Sequence, residues 1–194
     1  MENQTTGNLQ IVDSSKARKE GGVYYTPSFL IEFILKKTLA KELDKCKTPE
    51  DVDKIKVLDP ACGSGSFLIK AFDMIKDWYD VYNSKVSKNV TVDGLLLAVD
   101  YPAGKILANN LFGVDIDAQA TEIAAVNLLL KALTRGKPLP DILGTVIKTG
   151  NSLITGQEPE FAKLGQEDRE GWDPFNWNTE FADKEFTIVV GNPP

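Results

Sequence analysis

A chain of 194 residues, 42% hydrophobic and 26% charged, is long enough to close one hydrophobic core and too balanced to be disordered. No apolar run matches a transmembrane helix and the polar start Met1-Glu2-Asn3-Gln4 lacks a signal-peptide layout, so a cytoplasmic protein is expected. The absence of histidine excludes Ser-His-Asp and Cys-His chemistry, Cys46 and Cys62 alone make neither a disulfide framework nor a zinc site, and a net charge of −6 argues against these residues gripping a phosphate backbone by themselves.

Residues 1–20 are polar and read as a loosely attached tail, which leaves one domain over residues 21–194. Pro27 suits the first turn of a helix with Thr26 as its cap, and Phe29, Leu30, Phe33, Ile34 and Leu39 recur at helical spacing to about Cys46. The lysines on this segment (Lys36, Lys37, Lys41, Lys45 and Lys47) alternate with acids as a solvated helix face does. Residues 56–59 read as a short buried strand, residues 60–65 as a turn, and an apolar helix runs from Ser66 to about Tyr82. Residues 83–93 are polar; residues 95–99 and 106–111 suggest further helix, interrupted at 101–104. A second strand at 111–115 is followed by a strong helix from Ala118 to about Leu133, and a third strand lies around 145–148. Residues 156–183 are acidic, contain Trp172, Phe175 and Trp177, and read as an irregular insertion before a fourth strand at 186–190. There is no internal repeat. Short apolar strands alternating with helices predict an α/β fold, a doubly wound and mostly parallel sheet with its sites at the carboxyl ends of the strands.

Candidate sites fall in the loops after the four strands. Asp59-Pro60-Ala61-Cys62-Gly63-Ser64-Gly65 places Gly63 and Gly65 where a ligand can approach the backbone, ahead of a helix N-terminus. It has neither the Gly-Lys-Ser/Thr of a P-loop nor the Gly-x-Gly-x-x-Gly fingerprint, and Asp59 would repel a pyrophosphate while suiting an ammonium group. In Asp115-Ile116-Asp117 the first aspartate ends a strand and can accept from a ribose diol, Ile116 offers an apolar face to an adenine, and Asp117 caps the next helix. Asn151 and Ser152 occupy the third loop, where Asn151 can hydrogen-bond an adenine or simply make a turn. The fourth motif is Gly191-Asn192-Pro193-Pro194. An exocyclic amine is a poor nucleophile until acceptors draw its hydrogens out of plane, and Asn192 Oδ1 and the Pro193 carbonyl, stiffened by two prolines, can be those acceptors; a plain strand-ending turn is the other reading.

Together these motifs resemble the amino-methylating DNA methyltransferases, specifically the adenine-N6 group whose cofactor motifs precede the catalytic one. Tyr25-Thr26-Pro27 looks like the family's methionine-contacting motif, Asp59, Ala61, Cys62, Gly63 and Gly65 belong to its glycine-rich loop, and Asp115 with Ile116 to its ribose-binding strand end. Asn151-Ser152 is similar to the adenine-contacting motif, in which Asp is common and Asn151 is a departure. Asn192, Pro193 and Pro194 match the catalytic tetrapeptide without its final aromatic. The resemblance implies a Rossmann-like fold, S-adenosylmethionine as cofactor, no metal, and methyl transfer to N6 of an adenine flipped from double-stranded DNA within a restriction-modification system of the type IIG kind. It also implies a sheet cut after its fourth core strand, with the target-recognition region absent. A fragment of that kind is expected to bind cofactor but methylate poorly, and the bare edge of residues 186–190 could pair two copies into a dimer. Two alternatives remain: methylation of protein glutamine, which shares the Asn-Pro-Pro chemistry, and a non-catalytic cofactor-binding module of a restriction complex.

Overall fold

The computed structural model describes residues 26–87, 91–92, 95–96, 103–133, 137–159, 161–165, 169 and 171–193. Helices α1 (Ser28–Lys37), α2 (Leu39–Leu43) and α3 (Pro49–Val52) lead into strand β1 (Val57–Asp59) and the long helix α4 (Ser66–Ser87). A two-stranded hairpin, β2 (Thr91–Val92) and β3 (Leu95–Leu96), precedes α5 (Ala103–Asn109), β4 (Leu111–Asp115), α6 (Ala118–Ala132) and β5 (Ile147–Thr149). A single 3-10 turn (Phe161–Lys163), α7 (Trp177–Glu180) and β6 (Ile188–Val189) complete the described chain.

The main sheet has the order β5-β4-β1-β6 with every pairing parallel, as the α/β reading expects. Its registers align Asp59 with Gly113, Asp115 with Thr149 and Leu58 with Val189, so the carboxyl ends of neighbouring strands finish close together. The chain winds outward from β1 through β4 to β5 and then returns to the other side of β1. The strand order therefore reverses between β1 and β6, which opens a crevice at their carboxyl ends. β6 stands at one end of the sheet, with Val189 exposed.

One face of the sheet is covered by α4 and α6. Leu68 and Phe72 of α4 and Ala124 and Leu128 of α6 are buried against it, and a Cβ placed on Gly113 would lie 2.8 Å from Leu68 Cδ1. The opposite face is covered by aromatic side chains: Phe112 stands edge-on to both Phe181 and Phe186, and Phe175 packs against Trp177 and Phe181. The expected insertion thus contributes to a buried wall through Phe175 and Phe181, which are almost fully enclosed. Burying two such rings offsets part of the cost of ordering the residues that carry them.

Other elements also differ from expectation. The first helix breaks at Thr38, whose φ of −115° and ψ of −83° leave the helical range while its hydroxyl donates to the Ile34 carbonyl. Thr26 caps nothing: Pro27 is the N-cap residue, without a side-chain cap, and its carbonyl accepts from Leu30 and Ile31. The second helix continues to Ser87, and Leu95-Leu96 pair antiparallel with Thr91-Val92 instead of forming helix. Two residues separate those strands, Asp93-Gly94 in the sequence, a tight-hairpin signal that the helical reading passed over. Tyr101 and Pro102 lie outside the described residues. Among the described residues no helix is long and apolar enough to cross a membrane and no acidic or cysteine cluster could hold a metal ion.

Candidate active site at the carboxyl ends of the strands

Burial of β1 on both faces carries Asp59 to a position only 1% exposed. Its Oδ1 accepts from the Ala61 backbone N–H at 3.1 Å, which folds the chain into the turn that follows. Loss of solvent pushes the Asp59 carboxyl up to about 7; the Ala61 hydrogen bond opposes that rise and the like charge of Asp115 adds to it. Cys62 donates its backbone N–H to the Val114 carbonyl at 2.9 Å, and burial raises its thiol well above the ordinary range, so it is an inert packing group. The turn closes when the Gly65 N–H donates to the Cys62 carbonyl at 2.8 Å.

Both glycines of this turn are required by geometry. Gly63 has φ +51° and Gly65 φ +87°, values that side chains resist, and a Cβ on Gly65 would also lie 3.1 Å from Ala124 Cβ of α6. Space opens around Gly63, where an added Cβ would meet nothing within 4 Å. Its N–H donates to Asp115 Oδ2 at 2.7 Å, while Asp115 Oδ1 accepts from the Asp117 N–H at 3.0 Å. Asp115 therefore ties the loop after β1 to the end of β4. Ile116 stands 59% exposed beside it, and Asp117 caps α6 through Gln119 as its position predicted.

The third loop holds itself. Asn151 Oδ1 accepts from the Leu153 N–H at 3.1 Å, the turn reading of this residue, and its backbone N–H donates to the Asp173 carbonyl at 2.6 Å. The Ser152 carbonyl accepts from Trp177 Nε1 at 3.1 Å, so the aromatic insertion grips this loop from outside. In the sequence Trp177 reads only as part of an irregular insertion and Asp173 is not singled out; an acidic, aromatic stretch carries no spacing that would tie it to residue 151.

The fourth loop arrives beside the first. Val190 donates its N–H to the Leu58 carbonyl, which extends the pairing of β6 with β1, and Gly191 then passes so close that a Cβ there would lie 2.7 Å from Asp59 Oδ1. Asn192 is exposed and its Nδ2 donates to Thr26 Oγ1 at 3.2 Å. Thr26 is itself buried, and α1 beyond it is anchored to α4 by the Glu32–Lys70 ion pair at 2.7 Å. Pro27 and Pro193 are exposed; Tyr25 and Pro194 lie outside the described residues. Segments at 26–27, 59–65, 115–117 and 190–193, dispersed along the sequence, meet at the carboxyl end of the sheet. The large groove of about 1060 Å³ lined by Lys56, Trp177, Phe181 and Phe186 lies elsewhere, at the opposite ends of β1 and β6.

A parallel sheet whose order reverses beside a glycine turn, with an acidic residue ending each of its two central strands, makes a Rossmann-like domain of the kind that methyltransferases use. Residues 11–194 match the N-6 DNA methylase family, and the chain belongs to it. Use of S-adenosylmethionine is general in that family. The type II restriction enzyme and methyltransferase RM.Eco57I of Escherichia coli is 32% identical over 202 residues, covering 97% of this chain and 19% of the relative. The adenine-specific methyltransferase PglX of Streptomyces coelicolor is 26% identical over 205 residues, covering 97% of this chain and 16% of its own length. The chain thus spans under a fifth of these relatives. A cryo-EM structure of a DrdV–DNA complex shares the fold at a TM-score of 0.52 and 18% identity, over 94% of this chain and 15% of that one.

Proposed function

We propose that these residues form the cofactor-binding and catalytic part of a DNA (adenine-N6) methyltransferase of a restriction-modification system, acting on double-stranded DNA. The observation that carries this reading is the convergence of Gly191-Asn192 on Asp59 and Thr26 at the carboxyl ends of β1 and β6. The net charge of −6 leaves the gripping of the DNA backbone to other parts of the protein.

The residues of the crevice fit S-adenosylmethionine. When bound, it supplies an electrophilic methyl group on a sulfonium. Asp59 is desolvated beside a like charge, an arrangement that an ammonium group would relieve. Both Asp115 oxygens hold backbone N–H groups and each keeps a second lone pair for a ribose hydroxyl, and exposed Ile116 offers an apolar surface to an adenine. Ala61, Cys62, Gly63 and Gly65 shape the cradle, and the open space at Gly63 admits a ligand to the backbone. Asn151 Oδ1 holds its own turn, which leaves its amide nitrogen and the oxygen's second lone pair for a ligand, with Ser152 next to it. Tyr25 is assigned to the cofactor and Pro194 to the catalytic motif by motif position.

The target adenine is flipped into the crevice. Asn192 Oδ1 and the Pro193 carbonyl accept its two N6 hydrogens, which localises the lone pair on the nitrogen and makes it nucleophilic. Preorganised acceptors and positioning carry the catalysis, and no histidine base is needed because the amine becomes acidic once alkylated. The full-length protein incubated with radiolabelled S-adenosylmethionine should label duplex DNA, and Asn192→Ala should abolish the labelling. Label on protein glutamine, or DNA labelling untouched by the substitution, would overturn the assignment. The family match over residues 11–194 favours DNA over glutamine as substrate.

A further inference from the structure

The contact between Thr26 and Asn192 joins residues 166 positions apart and has a consequence for the chemistry. We infer that Thr26 is a positioning residue for catalysis: its hydroxyl accepts from Asn192 Nδ2 and so holds the amide in the orientation that leaves Oδ1 free to accept from the amine that is to be activated. The inference rests on the methyltransferase reading but assigns to Thr26 a task other than contact with the cofactor.

An asparagine amide presents an acceptor at one end and a donor at the other, and rotation by half a turn exchanges them. A donor facing the substrate amine would repel its hydrogens and leave the lone pair delocalised. Asn192 is exposed, so burial does not select the productive face, and Thr26 is the side-chain partner that its amide has among the described residues. Thr26 can do this because it is held from three sides. It is buried, its β-branched side chain has few χ1 states, and it precedes Pro27, which restricts its backbone. Asn192 likewise precedes Pro193, while Gly191 is pressed against Asp59. Two pre-proline residues thus meet side chain to side chain, each with a restricted backbone.

The test uses Thr26→Val and Thr26→Ser in the full-length protein. Valine keeps the volume and branching but removes the acceptor; serine keeps the acceptor. Thr26→Val should lower kcat for methyl transfer at saturating S-adenosylmethionine about tenfold, the effect of one neutral hydrogen bond expressed in the transition state. Its affinity for S-adenosylhomocysteine by calorimetry should fall by less than its kcat, and Thr26→Ser should recover most of the lost rate. Loss of cofactor affinity with kcat preserved would overturn the inference and make Thr26 a cofactor contact. Equal loss in the serine and valine variants would overturn it too, by showing that the hydroxyl is irrelevant. A wild-type protein that transfers no methyl to DNA would instead refute the functional reading beneath it. Thermal melting of each variant separates misfolding from these outcomes.

Discussion

Asp59 shows what burial does to a single residue at a strand end. Its carboxyl titrates near 7 in the folded protein because water is excluded, against ~3.9 for an unfolded aspartate. Between those values the folded state holds a proton that the unfolded state has lost, so stability falls as pH rises from about 4 to about 7 and then levels. Asp59→Asn removes that dependence. Its urea midpoint should gain on wild type steadily across that window, and a constant difference would show that Asp59 does not titrate as its burial implies. The same group should respond to ligand. If an ammonium group seats against the carboxylate, S-adenosylhomocysteine affinity by calorimetry rises as pH passes through about 7, and Asp59→Asn flattens the rise. Asp115 is predicted to matter differently, because it already holds the Gly63 and Asp117 N–H groups at 2.7 and 3.0 Å. Asp115→Ala should weaken S-adenosylhomocysteine binding and also lower folding stability by about 1–3 kcal/mol, the cost of leaving such donors unpartnered.

At the scale of elements, the glycine turn and the helices around it are coupled by close approach. Gly65→Ala would combine a φ of +87° with a Cβ 3.1 Å from Ala124, so α4 and α6 must part; a loss of about 1–3 kcal/mol in chemical denaturation is expected, and none would mean the turn relaxes freely. The elements legible in the sequence are those decided locally. Strand β4 and helix α6 fall where an apolar run and a 3.6-residue period place them, and Asp117 caps α6 as an aspartate before a helix does. The candidate motifs stand out in the sequence because most of them couple a strand end to turn residues. What escaped was decided by distant partners or by weak local signals. The Thr26 hydroxyl was read as a helix cap, yet it meets an amide 166 residues later in the sequence. The break at Thr38 leaves buried Leu39 and Leu43 in a helix of their own, a separation that the unbroken helical spacing of the segment conceals. The β2/β3 hairpin hid behind leucines whose helix propensity outweighed a two-residue turn signal.

Across the whole molecule, the aromatic insertion connects the stability of the second sheet face to the shape of the site. Phe175 is bound on both sides: its N–H donates to the Asn151 and Ile154 carbonyls, and its ring lies so near Gly150 that a Cβ there would sit 2.9 Å from Cδ2. Trp177 Nε1 reaches the Ser152 carbonyl, while its ring stands edge-on to Phe175 with centroids 4.8 Å apart. The loop after β5 is therefore shaped by residues more than a turn of chain away, and two kinds of substitution should come apart. Phe181→Ala empties the middle of the aromatic layer, where the ring meets Phe112, Phe175 and Phe186, and should cost about 3–5 kcal/mol of folding stability. Trp177→Phe keeps most of the apolar surface and removes one indole donor. It should cost only about 1 kcal/mol, yet weaken S-adenosylhomocysteine binding severalfold if Asn151 and Ser152 flank the adenine, because the loop loses the bond that fixes its carbonyl. Calorimetric affinity measured beside the urea midpoint separates the two effects. A Trp177→Phe variant that loses stability but keeps full affinity would detach the insertion from the ligand site and confine it to covering the sheet.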